Sequence, residues 1–427
     1  MRKLITSFIA VILLCVPQLT MAKATHLLPK PQKIEVTSGT PFALGRTVTI
    51  TDPTNSSLLE EFFTGNGCTI ADGGAEVTVT LASSIDGAYD YTLYGYDNEA
   101  YTLSVTADAI SITAVTKTGV IRAAQTLAQL AEGYDSTAEI ETVEITDWPA
   151  FKLRGYMHDV GRSFVEFETL KKHIDLLSRF KVNTFHWHMT ENQAWRFEVK
   201  AYPQLTSSAS MTRFAGKYYT QEQCKELQDY AAERGVIVIP EIDMPGHSEA
   251  FARAMGYDMQ TDNGVAALQT ILEEVAAVFD KAPYIHIGAD EKTITYSNFL
   301  KIMTDKVHSL GKKVVVWNPI NGVTITTSTG ADMTQMWSSR GAVIDGMPNI
   351  DCRYNYTNHF DVFADLVGIY KSNIYYEQKG NSNVAGTISA PWNDRKTPTE
   401  EDIIKQNNFF ANVLASAERA WIGGGKQ

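Results

Sequence analysis

Apolar positions between Val48 and Ala114 fall largely on alternate residues. Val48-Thr49-Ile50, Val77 to Leu81, Tyr101 to Val105 and Ile110 to Ala114 each mix apolar with small polar side chains, which predicts strands with one buried face. Ser57 to Thr64 and Gly119 to Leu130 instead carry apolar residues at helical spacing. Together they predict a small α+β domain over 25–147. Past Asp147-Trp148-Pro149 the rhythm becomes strand, helix, strand, helix. Strand-like runs lie at Leu153 to Val160, Val182 to Met189, Val236 to Ile242, Tyr284 to Ala289, Lys313 to Trp317, Met333 to Trp337, around Cys352 to Tyr354, and Ala385 to Pro391. Helical patterns cover Glu168 to Phe180, Thr220 to Arg234, Asn263 to Phe279, Thr293 to Leu310 and Glu400 to Trp421. Eight strands alternating with helices predict a (β/α)8 TIM-type barrel over 148–427. No clear helix follows Trp317, so the fifth repeat is expected to be degenerate. No internal repeat or low-complexity linker interrupts the pattern.

The first residues break from this picture. Arg2 and Lys3 precede an apolar run from Leu4 to Val16, and Ala22-Lys23-Ala24 resembles a cleavage site. This predicts a signal peptide over 1–24 and an exported, periplasmic or extracellular protein. Lipid anchoring at Cys15 is the weaker alternative, because Leu14 is a poor neighbour for a lipidated cysteine. No later run is long and apolar enough to span a membrane. Cys68, Cys224 and Cys352 then remain, an odd number at wide spacing that argues against a disulfide scaffold or a cysteine metal site and leaves one bridge open. A formal net charge of −12 over 427 residues disfavours nucleic acid or an anionic membrane as partner. Nothing in the pattern fixes an oligomeric state.

Candidate chemistry gathers where strands end. Tyr284-Ile285-His286-Ile287-Gly288-Ala289 stops in the adjacent carboxylates Asp290 and Glu291, the kind of handover at which barrels place reactive groups. Alternatively the two acids cap and open the helix expected from Thr293. Other strand ends are similarly furnished. Asp159 and Arg162 follow the first, and His186, His188, Glu191 and Asn192 the second, with Trp195-Arg196 beyond. Glu241, Asp243 and His247 follow the third; Trp317 and Trp337 close the fifth and sixth. Tyr356 and Asn358 follow the seventh, Trp392 and Asp394 the eighth. Aromatic faces beside carboxylates and an arginine suit a sugar ring. Taken singly, each has a duller account: tryptophans as core, His186 and His188 as satisfied interior histidines, Glu241 and Asp243 as structural partners. Clustering at one end of successive strands is what those accounts leave unexplained.

These stretches resemble glycoside hydrolase family 20, the β-N-acetylhexosaminidases. The resemblance runs through Arg154-Gly155, Asp159 to Arg162, Lys181 to Thr190, Ile239 to Ser248, His286 to Glu291 and Ala417 to Trp421, and in the front domain through Tyr101 to Leu103 and Gly119 to Leu130. It implies a retaining hydrolase in which the substrate's own acetamido group is the nucleophile. On that basis Glu291 is the general acid and base, Asp290 steers the acetamido N–H, and Tyr356 bonds the acetamido oxygen. Trp317, Trp337 and Trp392 wall the pocket, and Arg162 and Asp394 hold the distal hydroxyls. His247 and Glu241 organise the acid from behind, with Glu191 and His188 in the same supporting layer. The implied partner is a glycan ending in N-acetylhexosamine, and no cofactor is implied.

Three positions depart from the family pattern: Glu191-Asn192 for Asp-Asp, Asn358 for an acid, and Asp394 for a glutamate. Glu191 is expected to reach His247 through its longer arm, while Asn358 removes a charge near the acetamido group and Asp394 changes the reach at the sugar's far edge. These departures and the short loops around the barrel leave a family member of altered specificity, for sulfated N-acetylglucosamine or for release of a disaccharide, as the alternative. Burial and the charge of Asp290 are expected to keep Glu291 protonated. Two rivals are a metal-dependent barrel hydrolase using His186, His188, His247, His286 and Asp290, and a sugar binder without catalysis.

Overall fold

The computed structural model describes residues 26–88, 91–132, 139–354, 356–358, 366–396, 399–401 and 409–424. The expected signal peptide and Cys15 lie outside them, as does part of the last expected helix. The front domain holds β1 (Lys33–Val36), β2 (Phe42–Ala43), β3 (Thr47–Thr51), β4 (Thr69–Ile70), β5 (Ala75–Leu81), β6 (Tyr101–Val105), β7 (Ala109–Ala114), β8 (Glu139–Ile140) and β9 (Val143–Asp147). Seven of them form one mixed sheet in the order β1-β9-β6-β7-β5-β3-β4. Alternate residues of β6 and β7 are buried. They share an apolar cluster with Leu59, Phe62 and Phe63 of α1 (Ser57–Gly65) and Val120, Ala124 and Leu127 of α2 (Lys117–Ala131). Thr116 starts α2 by accepting the Gly119 N–H, as a good N-cap does.

Behind it, β10 (Leu153–Asp159), β11 (Thr184–His188), β12 (Ile237–Met244), β13 (Tyr284–Gly288), β14 (Lys313–Asn318), β15 (Met333–Met336) and β16 (Asn349–Asp351) run parallel in sequence order. Short β17 (Tyr356–Asn358) precedes β18 (Val384–Trp392), which pairs with β16 on one side and β10 on the other. Eight parallel strands therefore close into a TIM-type barrel. Every residue of β10, β11, β13 and β18 is buried, as expected of strands covered on both faces. The wall includes α3 (Phe167–Arg179), α4 (Gln221–Glu233), α5 (Glu249–Met255), α6 (Asp262–Val278), α7 (Phe299–Ser309), α8 (Leu366–Lys371) and α9 (Phe409–Ile422). No described helix is long and apolar enough to cross a membrane.

Repeat five is degenerate, with a 3-10 turn at Thr327–Thr329 in place of an α-helix, and the sixth likewise has no helix among the described residues. Around the seventh strand the expectation fails. Residues 352–354 form a gap: β16 ends before them against the start of β18, and β17 resumes after them against its end. Asp351 causes the break, since its carboxylate accepts both the main-chain N–H and the guanidinium of Arg353 and turns the chain out of the ladder. A second difference is the start of α7, at Phe299 rather than Thr293. Asp290 and Glu291 thus neither cap that helix nor form its first turn. Cys68, Cys224 and Cys352 are buried free thiols.

Buried charge fastens the two domains. Glu99 accepts from Arg122 at 2.7 Å and from Arg154 of β10 at 2.6 and 2.8 Å. Asp147, where β9 ends, meets Lys181 at 2.8 Å, the Tyr101 hydroxyl at 2.8 Å and the Trp421 indole N–H at 2.8 Å. Several of the positions that carried the resemblance therefore serve this joint.

Candidate active site

Parallel strands all end on one face of a barrel, so Asp159, His188, Met244, Gly288, Asn318 and Trp392 deliver their neighbours to a common rim. Backbone there is unusual. His247, Ala289 and Glu291 have φ of 47°, 82° and 54°, left-handed values that cost a non-glycine residue free energy and recur where side chains must be aimed. Gly288 sits at φ 66°, and a Cβ on it would fall 1.7 Å from an Asp243 carboxylate oxygen. Only glycine lets β13 pass that close to Asp243.

Glu241 is the buried hub beneath the rim. It accepts from His186 Nε2 at 2.8 Å, from His188 Nδ1, and from the Trp317 indole N–H at 2.9 Å. Burial opposes its charge, yet His188 foremost among its neighbours holds its pKa well below the usual range. Conversely, burial opposes a cation on His188, but Glu241 and then Glu191 push its pKa up to about 10. His186, desolvated, falls to about 4. One neutral and one charged imidazole therefore flank a single carboxylate, which orients Trp317.

Nearer the opening, His247 joins two acids. Its Nδ1 is 2.7 Å from Glu191 and its Nε2 is 2.9 Å from Glu291, so the longer arm of Glu191 does reach. Burial works against the His247 cation, but Glu191 and Glu291 raise its pKa to about 12. Glu291 differs from expectation. Its side chain is 54% exposed, and the His247 bond first of all lowers its pKa. The acid whose ionisation is disfavoured is Asp290, its pKa raised well above the usual range by burial first and by Asp243 next. Asp243, desolvated, is itself raised to about 6. Oxygens of Asp243 and Asp290 lie within 4.8 Å of each other, and two buried carboxylates that close do not both ionise readily.

A cavity of about 210 Å³ opens over these groups, lined by Asp243, His247, Asp290 and Glu291 together with Arg162, Trp317, Trp337, Trp392 and Asp394. Trp317 and Trp392 lie 5.8 Å apart, inclined by 48°. The Arg162 guanidinium stacks 5.1 Å above Trp392, bound by Asp159 at 2.8 Å and Glu191 at 2.7 Å, with Asp394 at 3.6 Å. Nine of the residues singled out in the sequence thus line one cavity, with Asp159, Glu191 and Glu241 holding them from behind. Tyr356 and Asn358 are located by backbone alone, paired in register with Ala390 and Trp392 of the last strand. Trp195 is buried core. Arg196 is buried too, spending its guanidinium on the carbonyls of Val160, Phe214 and Lys217. Asn321, whose amide donates to the Glu291 carbonyl at 2.7 Å, and Asn393, whose main-chain N–H donates to Asp159 at 3.1 Å, went unnoticed because a lone asparagine in a loop carries no distinguishing pattern.

Three groups offer close nitrogen and carboxylate donors: His186, Glu241 and His286; His188, Glu241 and Asp243; and Asp243, His247 and Asp290. The first two groups share Glu241, which is already engaged, whereas in the third the Asp243 oxygens accept no hydrogen bond among the described residues. Glu241 is shared by two imidazoles and an indole, and both His247 nitrogens face carboxylates. Around Glu241 the donor set suits internal hydrogen bonding better than a cation.

A closed (β/α)8 barrel with paired acids at the mouth of a tryptophan-walled cavity is the architecture of glycoside hydrolases. Glycosyl hydrolase family 20, catalytic domain, matches residues 151–263, and glycosyl hydrolase family 20, domain 2, matches residues 24–148. The two models together span more than half of the sequence, and the chain belongs to glycosyl hydrolase family 20. It is 34% identical over 280 residues to a β-hexosaminidase of Vibrio furnissii, covering 52% of this chain and 46% of that one. A β-hexosaminidase of Porphyromonas gingivalis is 38% identical over 227 residues, 45% of this chain and 29% of its own. The matched stretches therefore span less than half of either relative. Among solved structures, the β-N-acetylhexosaminidase of Bacteroides fragilis superposes with a TM-score of 0.80 at 27% identity, covering 94% of this chain and 92% of that one.

Proposed function

We propose that the protein is an exo-acting, retaining β-N-acetylhexosaminidase that removes terminal β-linked N-acetylglucosamine or N-acetylgalactosamine by substrate-assisted catalysis. The observation that carries this is geometric: the adjacent acids Asp290, buried, and Glu291, half-exposed and 2.9 Å from His247, share one cavity with Trp317, Trp337 and Trp392. The names borne by the relatives support it. A volume of about 210 Å³, below the roughly 300–1,000 Å³ of pockets for larger ligands, suits one sugar unit. Arg162 and Asp394 would close its far end against a longer chain, hence exo action.

The substrate's acetamido oxygen attacks its own anomeric carbon, forming a C–O bond as the glycosidic C–O bond breaks. Glu291 delivers a proton to the departing oxygen. The resting pair stores that proton on His247, and a sugar covering Glu291 removes water from its carboxyl, raises its pKa and draws the proton across. Asp290 meets the acetamido N–H; as positive charge spreads over the cyclised intermediate, the proton shared by Asp290 and Asp243 settles on Asp243 and leaves Asp290 as the anion. Trp317, Trp337 and Trp392 wrap the ring and the acetyl methyl, excluding water until the aglycone has left. Glu291 then takes a proton from an incoming water, which opens the oxazolinium ring with retention. Tyr356 is assigned to the acetamido oxygen by its place in the chain. Export through residues 1–24 belongs to the same proposal.

The test is a release assay over aryl β-glycosides of N-acetylglucosamine, N-acetylgalactosamine, their 6-sulfated forms and a disaccharide unit, with a thiazoline analogue of the cyclised sugar as inhibitor. Turnover of an N-acetylhexosaminide with tight thiazoline inhibition is expected. Binding without turnover would favour the non-catalytic alternative, and loss of activity on EDTA dialysis would favour the metal-dependent one.

A further inference from the structure

The segment after the second barrel strand reaches across the rim to the loop after the eighth. Arg213 donates through one terminal nitrogen to the Asn393 carbonyl at 3.1 Å and through the other to the Asp394 carbonyl at 2.8 Å. Its own main chain is fixed: the buried Arg196 guanidinium donates to the Arg213 carbonyl at 2.9 Å, and the Thr212 N–H donates to the Gln193 carbonyl at 2.8 Å. On the opposite side, the Asn393 N–H and side-chain amide are both held by Asp159. Asn393 is thus held from both flanks, and the Asp394 carbonyl beside it is held by Arg213.

A short side chain makes that grip consequential. Asp394 has one methylene, so rotation about its own bonds moves the carboxylate over a small radius and its position follows the backbone. The carboxylate stands 3.6 Å from Arg162 and is one-third exposed, at the edge of the cavity rather than buried in an ion pair. We propose that Arg213 is a positioning residue: by clamping the carbonyls of Asn393 and Asp394 it sets how far the Asp394 carboxylate reaches, and with it the choice between sugars that differ at their distal hydroxyls. The inference rests on the proposed function. Arginine spans the two carbonyls with donors on separate nitrogens in a fixed planar fork, a spacing that the single ammonium of a lysine at this position does not reproduce.

Kinetic constants on aryl β-N-acetylglucosaminide and its galactosaminide, which differ only at O4, test this in the wild type, Arg213→Ala, Arg213→Lys, Asp394→Ala and the Arg213→Ala/Asp394→Ala double variant. Arg213→Ala is expected to raise KM more than it lowers kcat and to change the ratio of kcat/KM between the two sugars by about fivefold or more, on the scale of the net worth of one hydrogen bond. Arg213→Lys should show the same pattern with an unchanged melting temperature, which keeps the test intact if the alanine variant folds poorly. In the Asp394→Ala background, Arg213→Ala should add nothing, since its effect passes through that carboxylate. An equal fall on both sugars, or an undiminished effect without Asp394, would overturn the inference while leaving the functional reading standing. Wild-type protein that turns over neither sugar would remove that reading and this inference with it.

Discussion

His247 Nε2 stands 2.9 Å from the Glu291 carboxylate, and the other ring nitrogen faces Glu191 at 2.7 Å. A histidine between two acids keeps its proton far into the alkaline range, with its pKa raised to about 12, so the proton that leaving-group departure needs stays beside Glu291 at neutral pH. Without His247 the proton would reside on Glu291 only at acid pH. His247→Ala is therefore expected to lower kcat about 10²- to 10⁴-fold near neutrality and to move the alkaline limb of the kcat/KM profile toward acid. An alkaline limb in its original place would show that the pair does not store the catalytic proton.

Glu291→Gln keeps the shape of the acid and removes its proton. Turnover of substrates with poor leaving groups should fall by roughly 10²- to 10⁴-fold, whereas aryl glycosides whose phenolate departs unassisted should lose far less. Steady-state rates along a series of leaving-group pKa values check this; equal losses throughout would remove Glu291 from the role of acid.

Acid stability is limited by buried imidazoles remote from the cavity. His158 and His173 lie 5.3 Å apart, ring to ring. Burial lowers His173 to about 4 and, with His173 as a second cause, holds His158 well below its ordinary value. An unfolded histidine binds its proton near pH ~6.5; the folded ones do so only at lower pH, so the unfolded state holds more protons in between and stability falls as pH drops from about 6.5 toward 4. His173→Gln should flatten that fall in denaturant titrations at successive pH values. An unchanged slope would place the acid limit elsewhere.

Glu99 neutralises two buried arginines at the joint between the domains. Glu99→Ala leaves both guanidinium groups desolvated and unpaired, and is expected to cost about 3–5 kcal/mol, read as a lowered midpoint in urea. A variant within about 0.5 kcal/mol of wild type would mean that the joint relaxes to admit water.

Much of this was legible because the signals were periodic. Alternation over Tyr101–Val105 and Ile110–Ala114 and helical spacing over 119–130 reflect one-sided burial, which sequence records directly. The barrel strands were legible as unbroken apolar runs ending in polar residues, because parallel strands are covered on both faces. Lys33–Val36 escaped because it is a largely exposed edge strand. The interrupted seventh strand escaped because its break depends on Asp351 turning back to Arg353. Site membership followed from chain position; protonation did not. That Glu291 faces water while Asp290 is desolvated depends on left-handed backbone at Ala289 and Glu291, and side-chain direction at such positions leaves no trace in residue order. Arg213 was missed for the same reason, being a loop arginine whose partners are carbonyls 180 and 181 residues away.

The central claim is that the substrate's amide, beside Asp290, is the nucleophile. Progressive fluorination of the N-acetyl group on an aryl glycoside weakens that carbonyl oxygen as a nucleophile while changing its size little. If the account holds, kcat/KM falls steeply with each added fluorine, and falls less steeply in Asp290→Asn, where another step limits the rate. A rate indifferent to fluorination in the wild type would contradict it.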